Sequence, residues 1–144
     1  MLYVNSSIPA VETLRAEGLD VVVGQPAGVP RIGLLNLMPE KVATEYDYCR
    51  MLAQSGLTLS VVLLRLPGET YKTTPQSYVE AHYEGFDPDN APPALDGLIV
   101  TGAPLEQMPF EAVRYWERLC RIFDWSAQHV RSTLCICWAA QAAL

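Results

Sequence analysis

The residue type and spacing best suited to chemistry lie at Cys137, inside Ser132 to Leu144 (STLCICWAAQAAL). Ser132 to Ile136 is short, apolar and partly β-branched, the pattern of a core strand. Trp138 to Leu144 is alanine-rich and favours helix. A cysteine therefore falls at a sharp strand-to-helix turn, with the small residues Cys135, Ala139 and Ala140 two and three positions away. A turn that tight rejects bulky neighbours, and this composition suits a nucleophile elbow. A thiol held there points out over the sheet edge, beside helix N–H groups that favour thiolate. A second reading is open from this stretch alone: a small buried thiol, the usual state of a free cysteine.

The elements before it must position that turn. Residues 1–31 read as an irregular lead-in, with a short helix over Ile8 to Glu17, a short strand over Leu19 to Val23, and a Pro/Gly linker from Gln25 to Pro30. Residues 32–144 read as the domain proper. Ile32 to Leu37 is a near-continuous apolar run, as in a strand buried on both faces. A helix is expected from about Glu40 to Ser55, closed by Gly56, then a strand from Leu59 to Leu66. The connection Glu69 to Pro93 has room for two helical turns over Gln76 to Tyr83, and its length suggests a functional loop. Leu98 to Thr101 is a third strand, and Phe110 to Val130 is expected as one long helix. The alternation argues for a three-layer α/β fold, a mostly parallel sheet with helices on both faces. Ligands bind such sheets at the C-terminal strand ends. The polar turns Asn36 to Lys41 and Gly102 to Glu106 fall there with Cys137, which favours the nucleophile reading.

Composition narrows the field further. The 144 residues suffice for one domain that buries roughly two-thirds of its surface. Half are hydrophobic and the net charge is −6, with ten scattered Lys and Arg, so nothing resembles a nucleic-acid-binding patch. The four cysteines show no zinc-binding spacing, and Cys135 and Cys137 would face opposite sides of a strand. No apolar run is long enough for a bilayer. Reduced thiols, a cytoplasmic location, and no metal or cofactor are the expectations.

The segments LNLMPEKVATE (Leu35 to Glu45), DGLIVTGAPLE (Asp96 to Glu106), FEAVRYW (Phe110 to Trp116) and STLCICWAAQAAL resemble the homoserine O-acyltransferase family of methionine biosynthesis. That family holds O-succinyltransferases and O-acetyltransferases, and its fold is related to class I glutamine amidotransferases, a flavodoxin-like arrangement. The resemblance runs from about Ile32 to the end. It implies that Cys137 takes an acyl group from acetyl-CoA or succinyl-CoA and passes it from the thioester to the hydroxyl of L-homoserine. It implies the Trp138 backbone N–H as an oxyanion donor, with a second from the Gly102–Ala103 turn by analogy with amidotransferases. It places Lys41 at the substrate site, to hold an anion or lower the thiol pKa. At Glu106 the family's glutamate accompanies acetyl transfer and glycine accompanies succinyl transfer, because a carboxylate repels and crowds the free carboxylate of succinate. Asp47 stands where an amide is common. Acyl-CoA is then a co-substrate, and a homodimer is the form common among members.

The family's catalytic histidine and glutamate lie downstream of the cysteine, past Leu144, and neither His82 nor His129 falls in a matching segment. The expectation is an N-terminal part of a longer enzyme, the C-terminal half missing, with little turnover of its own and an exposed edge at Ser132 to Ile136. Two alternatives stand beside it: a non-catalytic remnant, and an amidotransferase-like cysteine hydrolase. The hydrolase is disfavoured because Ile136, Trp138 and Ala139 replace the glycines usual around its cysteine.

Overall fold

A computed structural model describes residues 1–144. Strands β1 (Leu2–Val4), β2 (Val21–Val23), β3 (Arg31–Leu35), β4 (Leu59–Arg65), β5 (Glu84–Gly85), β6 (Gly97–Val100) and β7 (Ser132–Cys135) make one sheet. Its order is β2-β1-β4-β3-β6-β7, with β5 beside the far end of β4, and every pairing is parallel. The helices are α1 (Pro9–Ala16), α2 (Lys41–Ala53), α3 (Gln76–His82), α4 (Trp116–His129) and α5 (Trp138–Ala142). The expected three-layer α/β architecture is present.

Alternation along the central strands builds the two outer layers. Leu34, Val61, Leu63 and Ile99 point to one face, against Val11 and Leu14 of α1, Cys49 of α2 and Val79 of α3. Leu35, Val62, Leu64, Leu98 and Val100 point to the other, against Leu119 and Ile122 of α4 and Trp138 of α5. A period of two in the strand thus feeds two separate cores. Gly33 belongs to this packing: a Cβ there would stand 2.7 Å from methyl carbons of Leu64 and Leu95.

The structure differs from the sequence expectations at three places. Residues 1–23 enter the sheet, with β1 between β2 and β4. A strand as short as Leu2–Val4 shows too little alternation to stand out, and Asn5 prolongs it by accepting the Leu63 N–H through Oδ1 at 3.1 Å. The long helix expected from Phe110 is interrupted. A 3₁₀ turn over Phe110–Ala112 ends at Val113, whose backbone is extended at ψ 125°, and α4 begins only at Trp116. The break lets Phe110 stack on Trp116 at 5.0 Å while Val113 fills the core, so packing outweighs helix propensity. The crossover Glu69 to Pro93 contributes β5 as well as α3. Glu69, 7% exposed, pairs with Arg114 and Arg118 and ties the exit of β4 to the start of α4.

The edge at β7 is exposed as expected, with Leu134 51% accessible. No helix is long and apolar enough to cross a membrane.

Candidate active site

Chain direction changes between β3 and β6. From β3 the chain runs through α2 to β4 on one side, and from β6 through α4 to β7 on the other. Adjacent strands whose connections diverge leave a crevice beyond their C-terminal ends. Backbone bonds past the strand ends draw the three turns together: Asn36 to Leu64, Thr101 to Leu35, and Ile136 to Val100, at 3.3, 3.1 and 3.1 Å. The crevice is a cleft of about 330 Å³. One wall is Met38 with Thr44, Asp47 and Tyr48 of α2; the other is Gly102, Ala103, Pro104 and Glu106; Ile136 and Cys137 complete it.

Cys137 is exposed and sits between β7 and α5 with φ +54° and ψ −119°. Only Ala91 shares a positive φ among non-glycine residues. This backbone region costs a side-chain-bearing residue about 1–3 kcal/mol and persists only where its surroundings enforce it. Here the enforcement is visible. Trp138, 2% exposed, is wedged edge-on to Tyr115 and beside Phe110, with Ala139 fully buried behind it. The Ala140 and Gln141 N–H groups bond back to the Cys137 carbonyl. A Cβ on Gly102 would lie 3.1 Å from Cys137 Cβ and 3.9 Å from the Trp138 nitrogen. Glycine at 102 is thus what lets the two turns meet. The Trp138 N–H, at the first position of α5, has no carbonyl within its own helix to bond.

The structure brings Gly102, Ala103, Glu106 and Cys137 into one cleft, with the Trp138 backbone beside them. It places Lys41 elsewhere. Lys41 is fully buried, and its Nζ donates to the carbonyls of Asn36 and, at 2.9 Å, Met38. The ammonium also lies 3.6 Å from the centre of the Tyr71 ring. Its charge partner is Glu45, one helical turn on, which is itself fully buried and accepts from the hydroxyls of Tyr78, at 2.6 Å, and Tyr83. Burial lowers the Lys41 pKa to about 7, against the pull of Glu45; burial raises that of Glu45 against its two tyrosine donors and Lys41. Thr74 from the crossover accepts the Lys41 N–H and donates to the Pro39 carbonyl at 2.6 Å. Lys41 therefore braces the Asn36–Lys41 turn from inside, and Met38, not Lys41, faces the cleft.

Sequence reasoning did not single out Asn36, Glu45, Tyr78, Tyr83 or Thr101 as site-building residues. Asn36 donates to the Tyr83 hydroxyl at 2.9 Å, and Thr101 Oγ1 receives the Leu37 N–H at 2.8 Å, locking the β3 turn to the β6 turn. Lys41, Glu45 and Cys49 recur at four-residue spacing on the buried face of α2, and that period was the available signal. His82 bonds Ser6, and His129 stacks on Trp125 at 5.4 Å; neither lines the cleft. All four cysteines are free.

A parallel α/β sheet that presents an exposed cysteine at a strand–helix elbow, over a cleft at its switch point, defines a class of thiol-bearing domains. Within that class the chain belongs to the homoserine O-succinyltransferase family, whose model matches residues 1–144. It is similar to proteins named homoserine O-acetyltransferase from Parabacteroides distasonis, 44% identical over 99% of this chain and 47% of the relative. Others with that name come from Azobacteroides pseudotrichonymphae, at 46% identity over 95% and 45%, and Streptococcus mutans, at 45% over 97% and 46%. The chain spans about half the length of the curated relatives it matches.

Proposed function

We propose that this chain carries the acyl-accepting half of a homoserine O-acyltransferase. Cys137 Sγ attacks the thioester carbonyl of acyl-CoA, the CoA sulfur leaves with a proton, and the acyl group rests on Cys137. The hydroxyl of L-homoserine then attacks that carbonyl, an ester bond forms, and the Cys137 thiol is restored. The carrying observation is the exposed Cys137 in its enforced positive-φ elbow at the cleft. The Trp138 N–H is the proposed donor to the oxyanion, with the Gly102–Ala103 turn opposite. The names of the relatives and Glu106 in the cleft wall support acetyl over succinyl as the acyl group.

Incubation with acetyl-CoA or succinyl-CoA, without homoserine, tests the first half-reaction by intact mass and peptide mapping. An acetyl adduct on Cys137 is expected, and its absence under conditions that alkylate Cys137 would refute the reading. Glu106→Gly is expected to raise the succinyl-to-acetyl ratio of initial rates about tenfold or more, since it removes both a like charge and the bulk of the side chain. Gly102→Ala is expected to slow acylation about tenfold to a hundredfold by displacing the elbow, at nearly unchanged melting temperature. A wild-type rate in Gly102→Ala would show that the close approach to Cys137 is dispensable.

A further inference from the structure

The cleft over Cys137 has an uneven charge. Its two walls each carry one carboxylate, Asp47 from α2 and Glu106 from the connection after β6. No lysine or arginine lines it. The neighbouring cations are committed elsewhere: Lys41 is buried against backbone carbonyls, and Arg50 of α2 pairs with Glu17. Asp47 is exposed and enters no ion pair, so its charge is free to act on whatever approaches the thiol. Tyr48, next along α2, faces the same cleft. Its phenol pKa is raised by burial, then by the charges of Cys137 and Asp47, which puts it within reach of both. Asp47 is thus linked to the reacting sulfur by the cleft that α2 and the Cys137 elbow share, not by sequence proximity.

We propose that Asp47 is a specificity-determining residue that acts with Glu106 as a charge filter over Cys137, admitting electrophiles whose reacting end is neutral and rejecting those whose reacting end carries a negative charge. The Glu106 contribution follows from the family resemblance; that of Asp47 follows from where α2 places it. In the acyltransfer reading, on which the substrate meaning of this filter rests, two walls rather than one disfavour an acyl group with a free carboxylate. The filter itself needs no catalysis and is measured with a matched pair of thiol reagents. Iodoacetamide is neutral and iodoacetate is an anion. With either one the Cys137 sulfur forms a bond to carbon, iodide leaves, and the thiol proton goes to solvent.

The experiment takes the whole chain and follows alkylation of Cys137 by peptide mapping, at low and high salt. For each variant the readout is the iodoacetate-to-iodoacetamide rate ratio. At low salt Asp47→Asn is expected to raise that ratio about threefold, the effect of removing one charge that acts on the thiol across the partly solvated cleft they share. Asp47→Glu keeps the charge and is expected to keep the wild-type ratio. At about 1 M salt, where screening acts within roughly 3 Å, wild type and Asp47→Asn should converge. A wild-type ratio in Asp47→Asn at low salt overturns the proposal, including when Glu106→Gln raises the ratio, because Glu106 would then act alone. Equal ratios for Asp47→Asn and Asp47→Glu, both above wild type, also overturn it, since shape and not charge would be responsible. An intact filter in a protein that forms no acetyl adduct would refute the acyltransfer reading while leaving the filter standing.

Discussion

Cys137→Ala is expected to give a folded protein that forms no acyl adduct with acetyl-CoA or succinyl-CoA, a loss of at least about 10³-fold in acylation rate. The substitution is clean for a structural reason. Alanine and cysteine both carry a Cβ, so the strained φ of +54° remains and Trp138 and Ala139 keep their seats. No other thiol is poised to substitute. Burial pushes Cys49 up to about 12, and burial raises Cys135 and Cys120 as well. At neutral pH those three are therefore protonated and poor nucleophiles. An undiminished adduct in Cys137→Ala, read by intact mass, would remove Cys137 from the mechanism. Cys137→Gly makes the complementary measurement. Glycine relieves the positive φ, offsetting its own entropic cost, so this variant should melt no lower than wild type while losing all acylation. A marked fall in melting temperature would show that the backbone there is not strained.

Lys41→Met is expected to lower folding stability by about 1–3 kcal/mol, the usual cost of leaving buried acceptors without their donor. Methionine fills much of the same volume but leaves the Asn36 and Met38 carbonyls without their donor and Glu45 without its cation. The pH dependence separates this from simple loss of packing. Lys41 sits at about 7 in the folded chain, against roughly 10.4 when unfolded. Between those values the unfolded state holds the proton more tightly. This group therefore makes stability rise with pH from about 7 to about 10.4, and that contribution is lost as pH falls through 7. Lys41→Met should flatten that rise. In acid the deficit should shrink, because protonation of Glu45, whose pKa is already raised, removes the uncompensated charge. Urea unfolding across pH 5 to 9 checks both limbs, and a variant within about 0.5 kcal/mol of wild type would refute the brace. Adding Glu45→Gln to Lys41→Met should recover part of the loss, as a coupled pair requires.

Much of the fold was legible because local pattern and global arrangement agree. The apolar runs at Ile32 to Leu37 and Leu59 to Leu66 became β3 and β4 within two residues at each end, since strands buried on both faces must be continuously apolar. The helix expected before Gly56 became α2, although its buried face is carried by Lys41, Glu45 and Cys49 while Val42 is exposed. What stayed hidden depends on partners distant in sequence. Leu2–Val4 is a strand only because β4 and β2 flank it. The break at Val113 exists because Trp138 and Trp116 need Phe110 between them. The inward turn of Lys41 required Thr74, Tyr71 and Tyr83 from the crossover, about thirty to forty residues on, to close over it.

The sequence by itself determined the alternating α/β order, the cysteine at a strand–helix turn, and the presence of Gly102, Ala103 and Glu106 in a second turn after another strand. Those depend on residue type and short spacing, which local sterics and periodicity read directly. Tertiary structure alone decided that Cys137 faces solvent in a positive-φ elbow, that Gly102 lies against it, and that Lys41 is buried while Asp47 lines the thiol's cleft. Lys41 and Asp47 are six positions apart on one helix, and nothing in that spacing says which face the core will claim. The sheet claims the Lys41–Glu45–Cys49 face, because the crossover tyrosines supply partners for its polar groups. That choice turns Asp47 to the cleft.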